Sequence, residues 1–182
     1  MSGRFYRVLA VGIALAAISC SDPVPPAYKA GLRVNITGSG ACPTNAATRT
    51  IGEPGPDAAG AGKGVPIFDG EKGIKTNCTV AGGPQFNVAT SITGNGITFN
   101  LSGSVSSAGP GTATIGLYTA DLAEQFTSAA GACTVSAVQT GPNLFQVKPG
   151  AMWATFDCPS IKGSLATQTC RLQGEVVIEN CD

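Results

Sequence analysis

The chain has 182 residues, only 12% of them charged, and its 11 basic side chains balance its 11 acidic ones. A chain of this length can form one domain with its own core, and without a basic stripe it is not expected to bind nucleic acid. It contains no histidine, which removes Ser–His and Cys–His catalytic pairs from the functions that it could carry out by itself.

The N-terminal residues have the layout of an export signal. Arg4 and Arg7 precede an uncharged apolar run over residues 8–18, and Ser19 then leads into Cys20. The run falls short of the roughly 20 residues of a membrane-spanning helix, and a basic start followed by an apolar stretch and a small residue is typical of a secretory signal. A plain cleaved signal, with Cys20 as an ordinary cysteine, is the alternative interpretation.

The sequence Ala17-Ile18-Ser19-Cys20 resembles the lipobox of Gram-negative bacterial lipoproteins. The resemblance implies that the signal peptide, residues 1–19, is removed and that Cys20 carries fatty acyl chains such as palmitate. Two or more acyl chains anchor a protein firmly to membrane lipid. Because Ser21 rather than an aspartate follows the cysteine, the sorting rule of these lipoproteins favours the outer membrane. The resemblance ends near Asp22 and indicates no family for the remainder.

Two further regions follow the signal. Residues 20–30 include Pro23, Pro25 and Pro26, which predicts a stiff, polyproline-like tether, with an ordinary disordered N-terminus as the alternative. Residues 31–182 then form a single disulfide-stapled β-domain.

The β-domain begins with an alternating strand and a long irregular segment. Leu32, Val34 and Ile36 share one face, which predicts a half-buried strand. Residues 38–84 are crowded with Gly, Pro, Asn and Asp. They predict a stapled surface loop that contains one short strand near residues 65–68.

The rest of the chain predicts more strands and one short helix. Alternating residues on either side of Gly94-Asn95-Gly96 predict a hairpin, and a capping-box pattern from Asp121 to Glu124 predicts a helix over 121–128. Further strands are predicted over residues 113–117, 133–139, 144–147, 151–158 and 171–180. The fold class is therefore all-β, an antiparallel β-sandwich or barrel of about eight short strands with at most one short helix.

Six cysteines follow Cys20, and an even number behind an export signal indicates three disulfides. They are Cys42, Cys78, Cys133, Cys158, Cys170 and Cys181. Metal binding is the alternative, but the chain has neither a Cys-x-x-Cys pair nor a histidine, so the usual zinc spacings are missing. No metal or other cofactor is predicted.

The pairing of these cysteines is only partly restricted by the sequence. Cys170 and Cys181 flank a predicted strand whose ends lie roughly 36 Å apart, which excludes a bond between them if the strand is straight. The preferred set is Cys42–Cys78, Cys158–Cys170 and Cys133–Cys181.

A surface for a ligand is suggested by the strand that contains Trp153. If Met152 and Phe156 face the core, then Trp153, Thr155 and Asp157 share the opposite face. An exposed indole beside a hydroxyl and a carboxylate could stack on and orient a sugar. Burial of the indole is the alternative, and it is the commoner environment for a large aromatic side chain.

No nucleophile elbow, P-loop or metalloprotease motif occurs, so the protein is not expected to be an enzyme, although a pair of carboxylates could still act as in glycosidases. We expect a cell-envelope lipoprotein with a non-catalytic structural or protein-interaction role. The alternative is a ligand-binding β-domain for carbohydrate or a small apolar molecule. The expected partners are membrane lipid, through the acyl anchor, and either an envelope protein or a carbohydrate.

Overall fold

The computed structural model describes residues 25–38, 42, 47–52, 66–139, 146–164 and 169–182. The predicted signal peptide, Cys20 and the predicted tether up to residue 24 lie outside the described residues. Across these described ranges, no helix is long and apolar enough to cross a membrane.

Within these ranges, twelve strands form one antiparallel sheet. They are β1 (Lys29–Thr37), β2 (Ala47–Ile51), β3 (Ile67–Phe68), β4 (Lys75–Gly82), β5 (Gln85–Gly94), β6 (Ile97–Ser106), β7 (Gly111–Thr119), β8 (Glu124–Ser128), β9 (Cys133–Ala137), β10 (Val147–Lys148), β11 (Ala151–Gly163) and β12 (Thr169–Glu179). The strand order is β2-β1-β12-β11-β8-β7-β6-β5-β4, with β3 beside β1, β10 beside β11, and β9 between β11 and β7. The predicted all-β antiparallel fold is confirmed, with twelve strands in place of about eight.

The hairpin of β5 and β6 has the structure that its sequence predicts. Ten residue pairs are in register from Gln85↔Ser106 to Gly94↔Ile97, and buried side chains alternate with outward-facing ones along both strands. Asn95 and Gly96 both have positive φ, at 51° and 72°, which is the backbone that a tight two-residue hairpin turn requires.

The predicted helix over residues 121–128 is wrong, because this segment ends in a strand. Glu124, Phe126 and Ser128 are buried and alternate with exposed Gln125 and Thr127. A two-turn helix is marginal by itself, whereas β8 gains backbone hydrogen bonds from β7 on one side and β11 on the other. The spacing of the apolar residues is compatible with both a helix and a strand, and the backbone hydrogen bonds of the sheet favour the strand.

The segment predicted as a loop, residues 38–84, contains three strands. β3 confirms the short strand near residues 65–68, of which Val65 lies outside the described residues. β2 and β4 were not predicted, and β4 pairs with β5 over eight residues in register. Its buried positions are Thr76, Cys78 and Val80. Because one inward residue is a threonine and the outward ones are polar or small, the segment resembles a loop in composition.

The sheet folds back on itself, so that β1, β2, β11 and β12 lie opposite β4–β8 around one core. The rings of Phe99 in β6 and Phe156 in β11 are 5.3 Å apart. At one edge, the Val80 N–H donates to the carbonyl oxygen of Asp182 (3.0 Å), and the Gly150 N–H donates to that of Val80 (2.9 Å). At the other, Arg49 of β2 forms an ion pair with Asp121 in the β7–β8 turn. The architecture is thus a sandwich or barrel-like closure of one sheet.

All six cysteines of the β-domain are paired, as predicted, but all three predicted pairings are wrong. The bonds are Cys42–Cys170, Cys78–Cys181 and Cys133–Cys158, with Cα–Cα distances of 5.6, 5.0 and 4.2 Å. The exclusion of a Cys170–Cys181 bond is confirmed.

The strand register explains two of these bonds. β4 runs beside the last residues of the chain, so that Cys78 lies next to Cys181. β9 pairs with β11 with Thr134 opposite Asp157, which places Cys133 next to Cys158.

Candidate functional site

The structure buries Trp153, the residue on which the predicted ligand surface depended. Its side chain is only 7% exposed, and its indole N–H donates to Oε1 of Glu175 at 2.7 Å. Val177 lies opposite it on β12, with Gly31 beyond on β1, and a Cβ on Gly31 would come within 3.6 Å of the Pro66 Cα. The interpretation of Trp153 as an exposed platform is therefore wrong, and the alternative of a buried indole is confirmed.

The other two residues of that predicted surface do not form an open site. Thr155 is exposed, but Asp157 accepts two hydrogen bonds from Arg171, to Oδ1 from Nε (3.1 Å) and to Oδ2 from Nη2 (2.6 Å). This guanidinium holds the pKa of Asp157 below its usual range. The carboxylate is thus already bound by a cation of the same sheet.

Outward side chains of β1, β11 and β12 form what we call the charged face. Its ion pairs are Lys29–Glu179 (3.3 Å), Arg33–Glu175 (2.8 Å) and Arg171–Asp157 (2.6 Å). Glu175 is buried and binds both the Arg33 guanidinium and the indole described above. Six charged groups of this face are therefore bound to one another in pairs.

The outward side chains of β4–β8 form a second surface, which we call the polar face. Apart from Lys75, the first residue of β4, and Tyr118 of β7, its residues are uncharged and small or polar, among them Asn77, Thr79, Ala81, Asn87, Ala89, Ser91, Asn100, Ser102, Ser104, Thr112, Thr114, Gly116, Gln125 and Thr127. The strand registers align them in rows, one of which is Thr79, Ala89, Ser102 and Thr114. Successive rows lie about 7 Å apart along the strands.

Two adjoining hollows in the polar face have volumes of about 500 and 490 Å³. Both are lined by that row of Thr79, Ala89, Ser102 and Thr114, so together they form one groove along the strands, which we call the polar groove. Its floor is low because Gly116 and the alanines project little or nothing beyond the backbone. Both hollows are shallow and open widely to solvent.

Tyr118 adds an exposed aromatic ring at one end of the polar groove. It is 42% exposed and lies two residues beyond Gly116 on β7, between Thr98 of β6 and Gln125 of β8. The sequence analysis missed it, although its outward position follows from the buried Ile115 and Leu117 before it. Neither it nor the groove was named among the candidate residues.

The chemistry of the polar groove is that of neutral hydrogen bonding. Thr114 Oγ1 accepts from the Gly131 N–H (3.0 Å), whereas in the described part of the chain the side chains of Thr79, Asn100 and Ser102 have no hydrogen-bond partner. No carboxylate lies on this face. Hydroxyl and amide groups in this state are available to a ligand that carries both donors and acceptors.

Among the described residues, no group of three Cys, Asp or Glu side chains could hold a metal ion. Comparisons with known proteins match the chain to no protein-family model, no curated protein and no solved structure.

Proposed function

We propose that the protein is a non-catalytic binding domain of the bacterial cell envelope, anchored through acylated Cys20, whose polar groove binds an uncharged carbohydrate. The single observation that carries this proposal is the polar face itself, which spans five strands with Lys75, at the first residue of β4, as its one charged outward side chain among the described residues, although charges are dense on the opposite face. The outer membrane is the site that Ser21 favours for the anchor.

The composition of the groove favours a sugar over the other ligand classes. Hydroxyl and amide side chains can both donate to and accept from sugar hydroxyls. An apolar ligand would leave these groups without partners, which costs free energy, and a charged ligand would find no countercharge among the residues that line the groove. Tyr118 could stack on a sugar ring at the end of the groove. The rows from Ala81 to Asn77 span about 14 Å, which suits a short oligosaccharide rather than a single sugar.

Binding rather than cleavage is proposed because of what glycoside hydrolysis needs. That reaction uses two carboxyl groups roughly 5–10 Å apart on either side of the scissile bond. The polar face presents hydroxyls, amides and methyl groups, so a sugar held there would not lie between an acid and a base.

A protein partner on the same face is the second candidate. The width of five strands is about 19 Å from β4 to β8, which exceeds what one oligosaccharide covers. Short side chains also lose little conformational entropy when a partner packs on them. A structural role through an envelope protein would use this same surface.

The carbohydrate proposal is tested with the exported, detergent-solubilised protein on an array of neutral and acidic oligosaccharides, followed by calorimetry on any sugar that binds. Thr79→Lys places a long charged side chain in the polar groove and should weaken binding at least about tenfold, a loss of about 1.4 kcal/mol. Thr155→Lys is the matched control, an exposed threonine on a strand of the charged face, and should bind as the wild type does.

Each result separates the two candidates. Equal loss in both variants, or none in Thr79→Lys, would contradict a role for the polar groove. If no sugar binds but an envelope protein cross-links to the wild type and not to Thr79→Lys, the second candidate replaces the first.

The anchor is tested separately by metabolic labelling with an alkyne fatty acid. The wild type should be labelled and should partition with envelope detergent extracts, whereas Cys20→Ala should be unlabelled. Equal labelling of the variant would remove the lipoprotein assignment but would leave the groove untouched.

A further inference from the structure

The end of the domain where the chain enters it is fastened by three hydrogen bonds. Asn180 Nδ2 donates to the Ala27 carbonyl oxygen (2.9 Å), the Tyr28 hydroxyl donates to Oδ2 of Asp182 (2.6 Å), and the Asp69 N–H donates to the Tyr28 carbonyl oxygen (2.8 Å). Ala27 therefore belongs to the folded domain and not to the tether. We call this region, with Phe68 and residues 71–73, the entry end.

The distance from the entry end to Cys20 is bounded by the chain. Six residues lie between Cys20 and Ala27, and the seven Cα–Cα steps that join them reach at most about 25 Å when the chain is fully extended. If Cys20 is acylated, as proposed above, its acyl chains lie in the bilayer. The entry end then stays within that reach of the lipid headgroups, whatever path the intervening residues take.

Phe68 is the exposed apolar side chain of the entry end. It is 47% exposed and, with Tyr118, one of the two large hydrophobic side chains that are exposed in the described ranges. It pairs with Lys29 at the start of β1, and the Lys29 Nζ lies 4.7 Å from its ring centroid. An aromatic ring beside a lysine is a pairing typical of the membrane–water interface, where the ring enters the acyl boundary and the amine reaches the headgroups.

The charges of the entry end are mixed. Lys72, at a positive φ of 51°, and Lys75 are exposed, whereas Glu71 and Glu179 provide nearby negative charge and Asp69 Oδ1 accepts the Thr76 N–H (2.6 Å). The balance of signs means that attraction to anionic lipid is not the main source of binding, so the apolar ring has to provide it.

We propose that the entry end rests on the bilayer that holds the chain's own acyl anchor, with the Phe68 ring inserted at the boundary between headgroups and acyl chains. This inference rests on the proposed acylation of Cys20 and adds an orientation to it. β11 starts at Ala151, opposite the residues of the entry end, and runs away from it to Gly163. The domain would therefore stand on the membrane with the far end of β11 about 36 Å higher.

The test uses the full-length acylated protein, with acylation verified by intact mass, in vesicles of phosphatidylethanolamine and phosphatidylglycerol whose acyl chains carry bromine, a short-range quencher of tryptophan. Phe68→Trp keeps an aromatic ring at an exposed position and should lose about half of its added emission, because a ring at the interface lies only about 5–10 Å into the lipid. Lys162→Trp, at the far end of β11, is the matched control and should lose none. The wild type supplies the baseline of buried Trp153.

The outcomes distinguish this inference from the proposed function. If the protein is acylated but the Phe68→Trp indole is not quenched, the proposed contact of the entry end with the bilayer is wrong and the anchor stands. Equal quenching in Lys162→Trp also contradicts that contact, because the domain would then lie flat on the membrane. Emission of Phe68→Trp that changes with protein concentration instead of with bromine would assign the ring to a second copy of the chain. Absence of the acyl mass overturns the anchor and the docking together.

Discussion

The two outer faces of the sheet differ in how their polar groups are used. On the charged face, Lys29, Arg33 and Arg171 each bind an acidic side chain of a neighbouring strand. On the polar face, hydroxyls and amides point outward, and most of them bind nothing within the described structure. The sequence predicted a ligand surface on the face that carries the charged side chains and the single tryptophan. The structure shows that these groups bind one another, so that unused hydrogen-bonding capacity is a better guide to an open site than charge.

Removing the covalent link between the two halves tests whether the faces depend on each other. Cys78–Cys181 joins β4, on the polar side, to the residues after β12, on the charged side, across 103 residues. Replacing both cysteines by alanine should lower the free energy of unfolding by about 5 kcal/mol from loop-closure entropy, measured by urea denaturation. This is the largest effect that we expect.

The matched control is the double alanine variant of Cys133 and Cys158, which are separated by 25 residues. Its expected loss is about 3.5 kcal/mol by the same relation. A larger loss in this variant than in the long-range one would mean that native contacts, and not chain entropy, dominate the contribution of these bonds.

A substitution inside the charged face should change both the stability of the protein and the fluorescence of Trp153. Glu175→Ala leaves the buried Trp153 N–H without its acceptor and removes the partner of Arg33, which is 41% exposed and can be hydrated instead. An unsatisfied buried donor costs about 1–3 kcal/mol, and that is the expected loss of stability. Acrylamide should also quench Trp153 more strongly than in the wild type, where a blue-shifted, protected emission is expected.

The control for this variant is Thr169→Ala, an exposed position six residues earlier on the same face of β12. It should change stability by less than about 0.5 kcal/mol. If both variants lose the same amount, the indole–carboxylate contact contributes nothing specific to the charged face.

The exposed ion pair of the charged face should give the smallest effect, and one that depends on pH. Arg171 lowers the pKa of Asp157, and a carboxyl whose pKa falls on folding adds stability above its ordinary pKa that is lost as the pH drops through the lowered value. The wild type should therefore resist urea slightly better than Arg171→Gln at about pH 7, and this gap should close below about pH 4. Salt should also reduce it, because both side chains are largely exposed.

Lys162→Gln is the control for charge alone, since Lys162 forms no ion pair with the described residues. Its urea midpoint relative to the wild type should not change over the same pH range. If the difference in urea midpoint between the wild type and Arg171→Gln does not change with pH, the ion pair does not stabilise the protein through Asp157.

The strands that could be predicted are those whose own residues alternate clearly between apolar and polar. The alternation around Gly94-Asn95-Gly96 was enough to predict β5 and β6, and the even number of cysteines was enough to predict that all six are bonded. β4 was missed because an inward threonine hides its alternation of apolar and polar residues. β8 was missed because Leu122 and Phe126 are four residues apart, a spacing that fits a helix as well as a strand. The number of strands was underestimated for the same reason.

The candidate site was not predictable, because it depends on register. The row that lines the polar groove takes one residue each from β4, β5, β6 and β7, and each of these residues is ordinary in its own strand. The hydrogen bond of the Trp153 indole likewise goes to Glu175, which lies 22 residues away in the chain. The pairing of the cysteines was predicted wrongly for the same reason, since Cys78 and Cys181 become neighbours only when β4 lies beside the end of the chain.

The pairing of β1 with β12 also restricts the order in which the protein can fold. Lys29 and Glu179 are partners across 150 residues, whereas β5, β6 and β7 need only their neighbours in sequence. Closing so long a loop is slow and becomes possible only when nearly the whole chain is available. Closure of the sheet between β1 and β12 is therefore expected only after the last strand of the domain has been made.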